Sequence, residues 1–276
     1  MLERFAIIGN PVSHSLSPVM QTAAFSAANL PATYDKVRLD VPELDPWFAD
    51  MRQGAFRGCN VTLPYKQSVL ELLEELDVPA QTVAAVNTVV RRGETLYGYN
   101  TDIDGFRACL QTMLFDVGGA RVVVAGSGGA ARAVLYVLHN EGAHITVLSR
   151  DPGRCAWLTH SDPQIQVLNA IDTEAIRNAL DGAALFINAT PKGMAHVSTE
   201  CPIPTGVRLG SDVRVIDLIY GRQTPLLARA REAGCTAMDG LEMLVQQGAA
   251  AFHLWTGIRA DVDAMRSACV AALEEV

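Results

Sequence analysis

The sequence predicts an α/β protein built from two domains. The chain has 276 residues, whereas a single domain usually has about 100–200. Short apolar segments typical of buried strands alternate with segments of helical periodicity, an order that favours a largely parallel sheet. Near residue 121 the alternation restarts with a strand, a glycine-rich loop and a helix. We therefore expect one domain over residues 1–103, a second over 104–239, and two amphipathic helices over 240–276.

Local signals support each element of the first domain. The apolar run 5–9 ends in Gly-Asn-Pro, which indicates a buried strand entering a loop. Pro18 lies in the first turn of an alanine-rich helix over 17–29, where helices tolerate proline. Val69, Leu72, Leu73 and Leu76 would share one face of a helix over 65–76. Further strands are predicted at 33–39, 58–61, 86–90 and 95–99, the last two as a hairpin around residues 92–93, and further helices at 42–52 and 102–114.

The second domain repeats the alternation of strands and helices. Strands are predicted at 122–125, 145–148, 184–188 and 214–217, and helices at 130–141, 173–180 and 225–233. The chain then continues into amphipathic helices at 241–255 and 261–274.

Composition excludes several classes of function. The formal net charge of −8 is spread along the chain, so the surface would repel nucleic acids and anionic membranes. No apolar run approaches the roughly 18–20 residues that span a bilayer, and the N-terminal residues lack the plan of a signal peptide. The six cysteines are widely spaced and the histidines form no recognisable ligand cluster, so we expect reduced thiols, a cytoplasmic location and no metal.

A glycine-rich loop follows the strand at 122–125. It consists of Gly126, Ser127, Gly128, Gly129 and Ala130, and together with Ala131 it matches the pattern G-x-G-x-x-G/A between a strand and a helix. Glycines at these positions permit a tight turn and a close approach of the backbone to a pyrophosphate, which the helix N-terminus attracts. The alternative is a tight turn kept for packing alone. The context favours a Rossmann-type domain that binds a dinucleotide.

The end of the next strand bears on the choice of cofactor. An NAD site usually carries an acidic residue there, whereas this chain has Ser149, Arg150 and Asp151, with Arg154 shortly after. A guanidinium at this place favours the 2′-phosphate of NADP. Asp151 would repel that phosphate or bind a free hydroxyl, so NAD stays open as the alternative.

Polar motifs in the first domain describe a pocket for a small molecule rich in hydroxyl groups. Ser15 and Ser17 lie two residues apart before a predicted helix, and Asn87 and Asp102 lie at strand ends. Lys66 is one of only three lysines beside 19 arginines, and it is predicted at the start of a helix, where the macrodipole disfavours a cation. Each motif alone also fits an ordinary turn or helix cap.

Taken together, these motifs resemble the shikimate dehydrogenase family over essentially the whole chain. The matching segments are Gly9-Asn-Pro-Val-Ser-His-Ser15-Leu-Ser17-Pro, Asn60-Val-Thr-Leu-Pro-Tyr-Lys66, Val86-Asn87-Thr88, Gly98-Tyr-Asn100-Thr-Asp102, Gly126-Ser-Gly-Gly-Ala130, Asn188-Ala-Thr190-Pro-Lys-Gly193-Met194, Asp217-Leu-Ile-Tyr220, Thr224-Pro225-Leu226-Leu227, Asp239-Gly240-Leu-Glu-Met243-Leu-Val-Gln-Gln247-Gly-Ala and Trp255-Thr-Gly257.

The resemblance implies an NADPH-dependent enzyme of aromatic amino acid (chorismate) biosynthesis that reversibly reduces 3-dehydroshikimate to shikimate. It also implies that the C-terminal helices return to the first domain. Lys66 and Asp102 would be the catalytic pair. The residues implied for the substrate are Ser15, Ser17, Thr62, Asn87, Tyr220 and Gln247. Those implied for the cofactor are Gly126, Ser127, Gly128, Gly129, Ala130, Ser149, Arg150, Arg154, Thr190, Met194, Leu218, Gly240 and Met243.

The sequence leaves some alternatives open. Members of the family that use NADP commonly have Asn-Arg-Thr where this chain has Ser149-Arg150-Asp151, and paralogues that use quinate share almost all of the motifs. A quinate or shikimate dehydrogenase that uses NAD is therefore one alternative, and a non-catalytic protein that binds the cofactor is another. The paired Lys66 and Asp102 argue against the latter, because a binding module needs no proton donor. Both a monomer and a homodimer are compatible with the sequence.

Overall fold

The computed structural model describes residues 2–155, 165–194 and 197–275. The chain divides into two compact units, one formed by Met1–Ala108 with Met243–Val276 and the other by Cys109–Glu242. The boundaries predicted at residues 103 and 240 lie a few residues from these divisions. Each unit contains one six-stranded sheet and packed helices, which confirms the predicted α/β class.

The strands and helices of the described residues are each numbered in chain order. The strands are β1 Glu3–Gly9, β2 Ala32–Arg38, β3 Gly58–Val61, β4 Glu75–Leu76, β5 Thr88–Arg92, β6 Thr95–Tyr99, β7 Arg121–Ala125, β8 His144–Ser149, β9 Gln166–Asn169, β10 Leu185–Asn188, β11 Arg214–Asp217 and β12 Ala237–Met238. The helices are α1 Ser17–Ala27, α2 Leu44–Arg52, α3 Val78–Val83, α4 Asp102–Thr112, α5 Gly129–Asn140, α6 Thr173–Leu180, α7 Pro225–Glu232, α8 Leu241–Thr256 and α9 Val262–Glu274. None of these helices is long and apolar enough to cross a membrane.

The sheet of the first unit is mixed. Its strands are ordered β2-β1-β3-β5-β6-β4, with β1 parallel to both neighbours and β5 antiparallel to both of its own. The predicted hairpin is therefore present as β5 and β6. The parallel strand β3 and the antiparallel strand β5 lie side by side, and the polar residues that follow β3 and precede β5 meet at one edge of the sheet.

The sheet of the second unit is parallel throughout, in the order β12-β11-β10-β7-β8-β9. The loop between β7 and α5 follows a central strand, at the switch point between β8 and β10. Ligands of open α/β sheets bind at such crevices outside the carboxyl ends of the strands. This topology confirms the predicted Rossmann-type fold.

The prediction of a helix over residues 65–76 is wrong. A 3-10 segment occupies Ser68–Leu72, and β4 follows and pairs in parallel with β6. The apolar residues nevertheless face the core, with Val69 fully buried and Leu72, Leu73 and Leu76 packed against it. Gly98 permits this packing, because a Cβ there would lie 2.6 Å from Leu73 and 2.7 Å from Leu76. Lys66 consequently lies in a turn before the 3-10 segment, and the helix-macrodipole argument does not apply to it.

The C-terminal helices complete the first unit, as predicted. In α8, Trp255 donates Nε1–H to the carbonyl of Val89 in β5 at 3.0 Å, and its ring lies 5.0 Å from that of Phe5. Phe252 packs against Phe25 of α1 at 5.3 Å between ring centroids. Large buried aromatic rings contribute much of the stability of a core. A Cβ at Gly58 would lie 2.3 Å from Trp255, so glycine is required beside the indole.

Candidate functional site

Lys66 and Asp102 form an ion pair in the first unit. Lys66 lies in the turn after β3, and its carbonyl accepts a hydrogen bond from the Val86 amide at 2.7 Å, which anchors the turn. Asp102 begins α4. The Lys66 Nζ atom donates to Asp102 Oδ2 at 2.5 Å, and the two side chains are only 15% and 7% exposed. A short, largely buried pair of this kind keeps an ammonium group in one place beside a carboxylate.

Asn87 connects this pair to the terminal helices. Its Nδ2 donates to Asp102 Oδ1 at 2.7 Å and to Gln247 Oε1 of α8 at 3.3 Å. The amide orientation follows from the Thr101 backbone N–H, which donates to Asn87 Oδ1 at 2.7 Å and leaves Nδ2 to face the carboxylate. The structure thus brings together Lys66, Asn87, Asp102 and Gln247, four of the predicted site residues.

Ser15 and Ser17 lie at the start of α1. The Ser15 hydroxyl donates to Ser17 Oγ at 3.1 Å, and the Ser17 amide donates to Ser15 Oγ at 3.2 Å. Thr62 follows β3, and its amide donates to the Ile8 carbonyl at 2.9 Å. A Cβ at Gly9 would lie 2.4 Å from the Thr62 methyl group, so glycine permits the close approach of these two loops.

Tyr34 joins this site, and the sequence contained no signal for it beyond one aromatic residue in a strand. Its hydroxyl donates to Asn60 Oδ1 at 2.6 Å, and Asn60 Nδ2 donates to Thr88 Oγ1 at 3.0 Å. Burial raises the pKa of Tyr34 well above its usual value. Repulsion from Cys59 adds to the rise, and a hydrogen bond with the Ser17 side chain opposes it. The phenol therefore stays protonated and acts as a donor.

The glycine-rich loop of the second unit has the geometry of a phosphate cradle. Gly126 has a φ of +115°, and a Cβ there would lie 2.8 Å from the Ala189 carbonyl oxygen, so only glycine fits. A Cβ at Gly128 would meet no described atom within 4 Å, which leaves that face of the backbone open to a ligand. Gly128 is the N-cap of α5 and makes no side-chain cap, and Gly129 and Ala130 form the first turn. The N–H groups of this turn suit a pyrophosphate.

The end of β8 lies beside this loop. Ser127 Oγ and Ser149 Oγ are 3.1 Å apart and share a hydrogen bond, which ties the loop to the strand end. The Arg150 side chain is exposed, so its guanidinium is accessible to a ligand. The Asp151 carboxylate accepts from the Gly153 amide at 3.1 Å, so it caps its own turn. The side chain of Arg154 lies outside the described residues.

A buried carboxylate organises the loops after β10 and β11. Asp217 accepts from Thr224 Oγ1 at 2.6 Å and from Asn188 Nδ2 at 2.9 Å. Asn188 Oδ1 in turn accepts from the amide and the hydroxyl of Thr190, at 3.0 and 2.6 Å. Burial raises the pKa of Asp217, and its hydrogen bonds partly oppose the rise. Asp217 and Asn188 were not among the predicted site residues, although both stand in the motifs.

The predicted cofactor residues fall mainly in the second unit and the predicted substrate residues mainly in the first. Leu218 donates its amide to the Asn188 carbonyl at 3.0 Å, and Gly240 approaches Leu218 so closely that a Cβ would lie 2.1 Å from its oxygen. Met194 and Tyr220 are half-buried in the second unit. Met243, predicted for the cofactor, belongs to the first unit, and Tyr220, predicted for the substrate, belongs to the second.

Three family models match successive parts of the chain. Residues 7–89 match the shikimate dehydrogenase substrate binding domain, residues 113–202 a putative NAD(P)-binding family, and residues 240–269 the shikimate 5′-dehydrogenase C-terminal domain. A shikimate dehydrogenase (NADP(+)) from Methanothrix thermoacetophila is 40% identical over 270 residues, which cover 98% of this chain and 97% of the relative. This chain belongs to the shikimate dehydrogenase family.

Solved structures of shikimate dehydrogenases share the whole fold. The shikimate 5-dehydrogenase of Thermus thermophilus, in complex with NADP(H) and shikimate, matches with a TM-score of 0.86 and 34% identity, covering 99% of this chain and 100% of that chain. The enzyme of Listeria monocytogenes, in complex with shikimate and NAD, matches with a TM-score of 0.86 and 30% identity over 96% of both chains. The predicted family is therefore confirmed.

Within the shikimate dehydrogenase matches, the predicted residues distribute unevenly. The substrate-binding-domain match contains Ser15, Ser17, Thr62, Lys66 and Asn87 but ends before Asp102. The C-terminal match contains Gln247. The hydrogen bonds of Asn87 unite these segments, which lie far apart along the chain.

Proposed function

We propose that this chain catalyses the reversible, NADPH-dependent reduction of 3-dehydroshikimate to shikimate, a step of aromatic amino acid biosynthesis. The observation that carries the proposal is the Lys66–Asp102 pair, held at 2.5 Å and bonded through Asn87 to Gln247, in a chain of the shikimate dehydrogenase family. A largely buried ammonium next to acceptor and donor amides suits a carbonyl flanked by hydroxyl groups.

Lys66 acts as the acid in the direction of reduction. When a hydride adds to a carbonyl carbon, negative charge develops on the carbonyl oxygen, and that oxygen then needs a proton. The Lys66 ammonium stabilises that charge and then gives its proton to the oxygen. Asp102 keeps the ammonium in position through Oδ2, and in the oxidation direction the neutral amine takes the proton back.

The remaining side chains of the first unit hold the substrate. Ser15 and Ser17 supply hydroxyl donors at one loop, which suit a carboxylate. Asn87, Asp102 and Gln247 bind ring hydroxyl groups. Thr62 is proposed for the same substrate, and the family resemblance also implies Tyr220.

The second unit fits a dinucleotide cofactor, as the glycine cradle and the open N-terminus of α5 indicate. When bound, the nicotinamide supplies the hydride. Arg150 and Arg154 would bind the 2′-phosphate of NADP. The remaining residues proposed to surround the cofactor are Gly126, Ser127, Gly128, Gly129, Ala130, Ser149, Thr190, Met194, Leu218, Gly240 and Met243.

A second candidate function is oxidation of quinate or shikimate with NAD. The exposed Asp151 beside Arg150 favours it, because a carboxylate can bind the free ribose hydroxyl of NAD, and the Listeria relative was solved with NAD. The Asp151 carboxylate is partly used by the Gly153 amide of its own turn, which supports the NADP assignment.

The test is a steady-state panel that crosses shikimate and quinate with NADP and NAD, followed by the absorbance of the reduced cofactor. The proposal expects the highest kcat/KM for shikimate with NADP. A preference for quinate or NAD would select the second candidate. Protein that binds NADP and turns over neither substrate would be a non-catalytic paralogue.

We also infer that the enzyme acts in the cytoplasm on a small molecule. All six cysteines are free thiols, which suits a reducing compartment, and the acidic net charge of −8 does not suit nucleic acid.

A further inference from the structure

Asn188, the last residue of β10, uses every hydrogen-bonding site of its side chain within the second unit. Its Nδ2 donates to the Lys192 carbonyl at 3.0 Å and to Asp217 Oδ1 at 2.9 Å. Its Oδ1 accepts from the Thr190 amide at 3.0 Å and from the Thr190 hydroxyl at 2.6 Å. An asparagine side chain has two N–H donors and one oxygen with two lone pairs, so all of its sites are occupied. Because Asn188 is also fully buried, it can affect a ligand only through these partners.

The donor directions around Asn188 agree with one another. The Lys192 carbonyl can only accept and the Thr190 amide can only donate, so both ends of the Asn188 amide are assigned. The Thr190 hydroxyl gives its single proton to Asn188 Oδ1 and accepts from the Lys192 amide at 3.1 Å. Lys192 takes part in these bonds through its backbone. The proton of the Thr190 hydroxyl is therefore engaged within the loop, and it is not available to a cofactor.

The loop that Asn188 holds lies directly against the glycine-rich loop. A Cβ at Gly126 would lie 2.8 Å from the Ala189 carbonyl oxygen and 3.1 Å from the Thr190 methyl group. The Ala189 amide donates to the Ala125 carbonyl at 2.8 Å, immediately before the glycine-rich loop begins. A displacement of Thr190 would therefore change the space beside the backbone that suits a pyrophosphate.

Asn188 also connects this loop to the one that follows β11. Asp217 Oδ1 accepts from Asn188 Nδ2 at 2.9 Å and from the Ile219 amide at 3.2 Å. The Leu218 amide donates to the Asn188 carbonyl at 3.0 Å. A Cβ at Gly193 would lie 3.2 Å from Ile219 Cδ1, so the two loops also approach each other closely beyond these bonds. Residues implied for the cofactor stand on both of the loops that Asn188 joins.

We propose that Asn188 is a positioning residue for the cofactor site, acting through Thr190 on one loop and through Asp217 on the other. The proposal rests on the proposed function, because it takes NADP as the ligand of the second unit. Buried polar groups that satisfy one another rigidify a site. Asn188 thus keeps both loops in the arrangement that accepts the cofactor, and without its side chain that arrangement becomes a minor one.

The first test is Asn188→Ala, which removes the four side-chain hydrogen bonds. The apparent Kd of a ligand rises by the inverse of the fraction of molecules in the binding arrangement, so a fraction of about 10–30% gives a rise of about three- to tenfold. We expect the KM for NADP, and the Kd for NADP measured by isothermal titration calorimetry, to rise by that factor. The KM for shikimate should stay unchanged, because all partners of the Asn188 side chain lie in the second unit.

Leu185→Ala is the matched control, because Leu185 begins the same strand and is also fully buried. Its truncation leaves a cavity at the opposite end of β10 and should lower the Tm, as the loss of Asn188 does. The Kd for NADP should stay at the wild-type value in this variant. Equal rises of the Kd in Asn188→Ala and Leu185→Ala would show a general loss of stability and would overturn the proposal.

A double-mutant cycle with Thr190→Val tests the route of the effect. Thr190→Val keeps the shape of the side chain and removes its hydroxyl, so it should raise the Kd for NADP, whereas Thr190→Ser should raise it less. If the hydroxyl acts through Asn188, Thr190→Val should raise the Kd less in the Asn188→Ala background than in the wild-type chain. Independent effects of the two substitutions would overturn the proposal. If Asn188→Ala does not fold, Thr190→Val decides alone, and a wild-type Kd in that variant would overturn the proposal.

Calorimetry separates this proposal from the proposed function, because it measures binding of NADP without turnover. A wild-type chain that binds NADP and oxidises neither shikimate nor quinate would overturn the proposed reaction, while the Kd values of the variants would still decide the role of Asn188. A wild-type chain that does not bind NADP would overturn both.

Discussion

At Lys66 the chain places one of its three lysines 2.5 Å from a carboxylate oxygen. Because general acid catalysis is worth roughly 10²–10⁴-fold, Lys66→Ala should lower kcat by about that factor. Lys66→Arg should also be poor, since arginine keeps the charge but does not release a proton at working pH. Asp102→Asn should be similarly damaging. Steady-state kinetics measures kcat and KM for each variant, and circular dichroism checks that each variant is folded.

Lys192→Ala is the control for the Lys66 variants. Lys192 forms an ion pair with the exposed Glu200 at 3.0 Å, and we expect its removal to leave kcat near that of the wild-type chain. A Lys66→Ala enzyme with normal turnover would show that Lys66 is a binding contact, and this result would contradict the proposed mechanism.

Arg150 is proposed to bind the 2′-phosphate of NADP. Loss of a charge-assisted bond to the 2′-phosphate costs on the order of 1.5–3 kcal/mol, so Arg150→Ala should raise KM for NADP by roughly 10- to 150-fold. KM for NAD should stay within about twofold, because NAD lacks that phosphate. Arg177→Ala removes another exposed arginine of the same unit and should change neither constant. Equal, small effects of Arg150→Ala on both cofactors would place Arg150 outside the phosphate site.

The contacts of the site residues were only partly predictable from the sequence. Lys66, Asn87 and Asp102 stand in motifs of unusual polarity, and the structure brings them together. Tyr34 was missed because its hydrogen bond joins it to Asn60, which lies 26 residues further along the chain. A contact between strands leaves no local pattern of spacing in the sequence.

At the scale of elements, Asp217 ties the ends of β10 and β11 to α7 through Asn188 and Thr224. Asp217→Asn replaces one acceptor oxygen by a donor, and we expect the free energy of unfolding to fall by about 1–3 kcal/mol. Urea unfolding followed by circular dichroism measures it.

The difference in the free energy of unfolding between the wild-type chain and Asp217→Asn should also depend on pH, because the Asp217 carboxyl ionises. Burial raises its folded-state pKa above the ordinary value of 3.8, so the native chain binds the proton more tightly than the unfolded chain. This contribution to stability is complete below 3.8 and is lost as pH rises through the folded pKa. The advantage of the wild-type chain over Asp217→Asn should therefore shrink with rising pH in that range. A difference that grows or stays constant would contradict the assignment.

The segment 65–76 shows why apolar spacing does not determine the backbone. Val69, Leu72, Leu73 and Leu76 are spaced as on a helix, but their side chains reach the core from a 3-10 segment and a short strand. Glu74 prevents a continuous helix, because its amide donates to the Leu96 carbonyl at 3.2 Å and its carboxylate accepts from the Leu96 amide at 2.8 Å. The periodicity predicted which side chains are buried, and pairing with β6 decided the backbone.

At the scale of the whole molecule, thiol reactivity tests how many of the cysteines are buried. Cys201 and Cys235 are half-buried, and the remaining four are buried. Burial raises the pKa of the Cys269 thiol to about 11 and that of Cys59 further, so neither forms the reactive thiolate near pH 8. Titration of the native protein with a disulfide reagent at pH 8 should modify at most two thiols rapidly, and all six after unfolding. Rapid reaction of more than two would contradict the packing of the cores.

The first unit is discontinuous along the chain, because Met243–Val276 joins Met1–Ala108 only after Cys109–Glu242 has been passed. A ribosome makes the chain from its N-terminus, so the second unit emerges whole while the first still lacks α8 and α9. Until Gln247 and Trp255 leave the exit tunnel, Asn87 has no contact with Gln247 and Val89 none with the indole. The nascent chain can therefore complete its nucleotide-binding half before its substrate-binding half. A translation product arrested before residue 243 would have an intact glycine cradle without a finished substrate site.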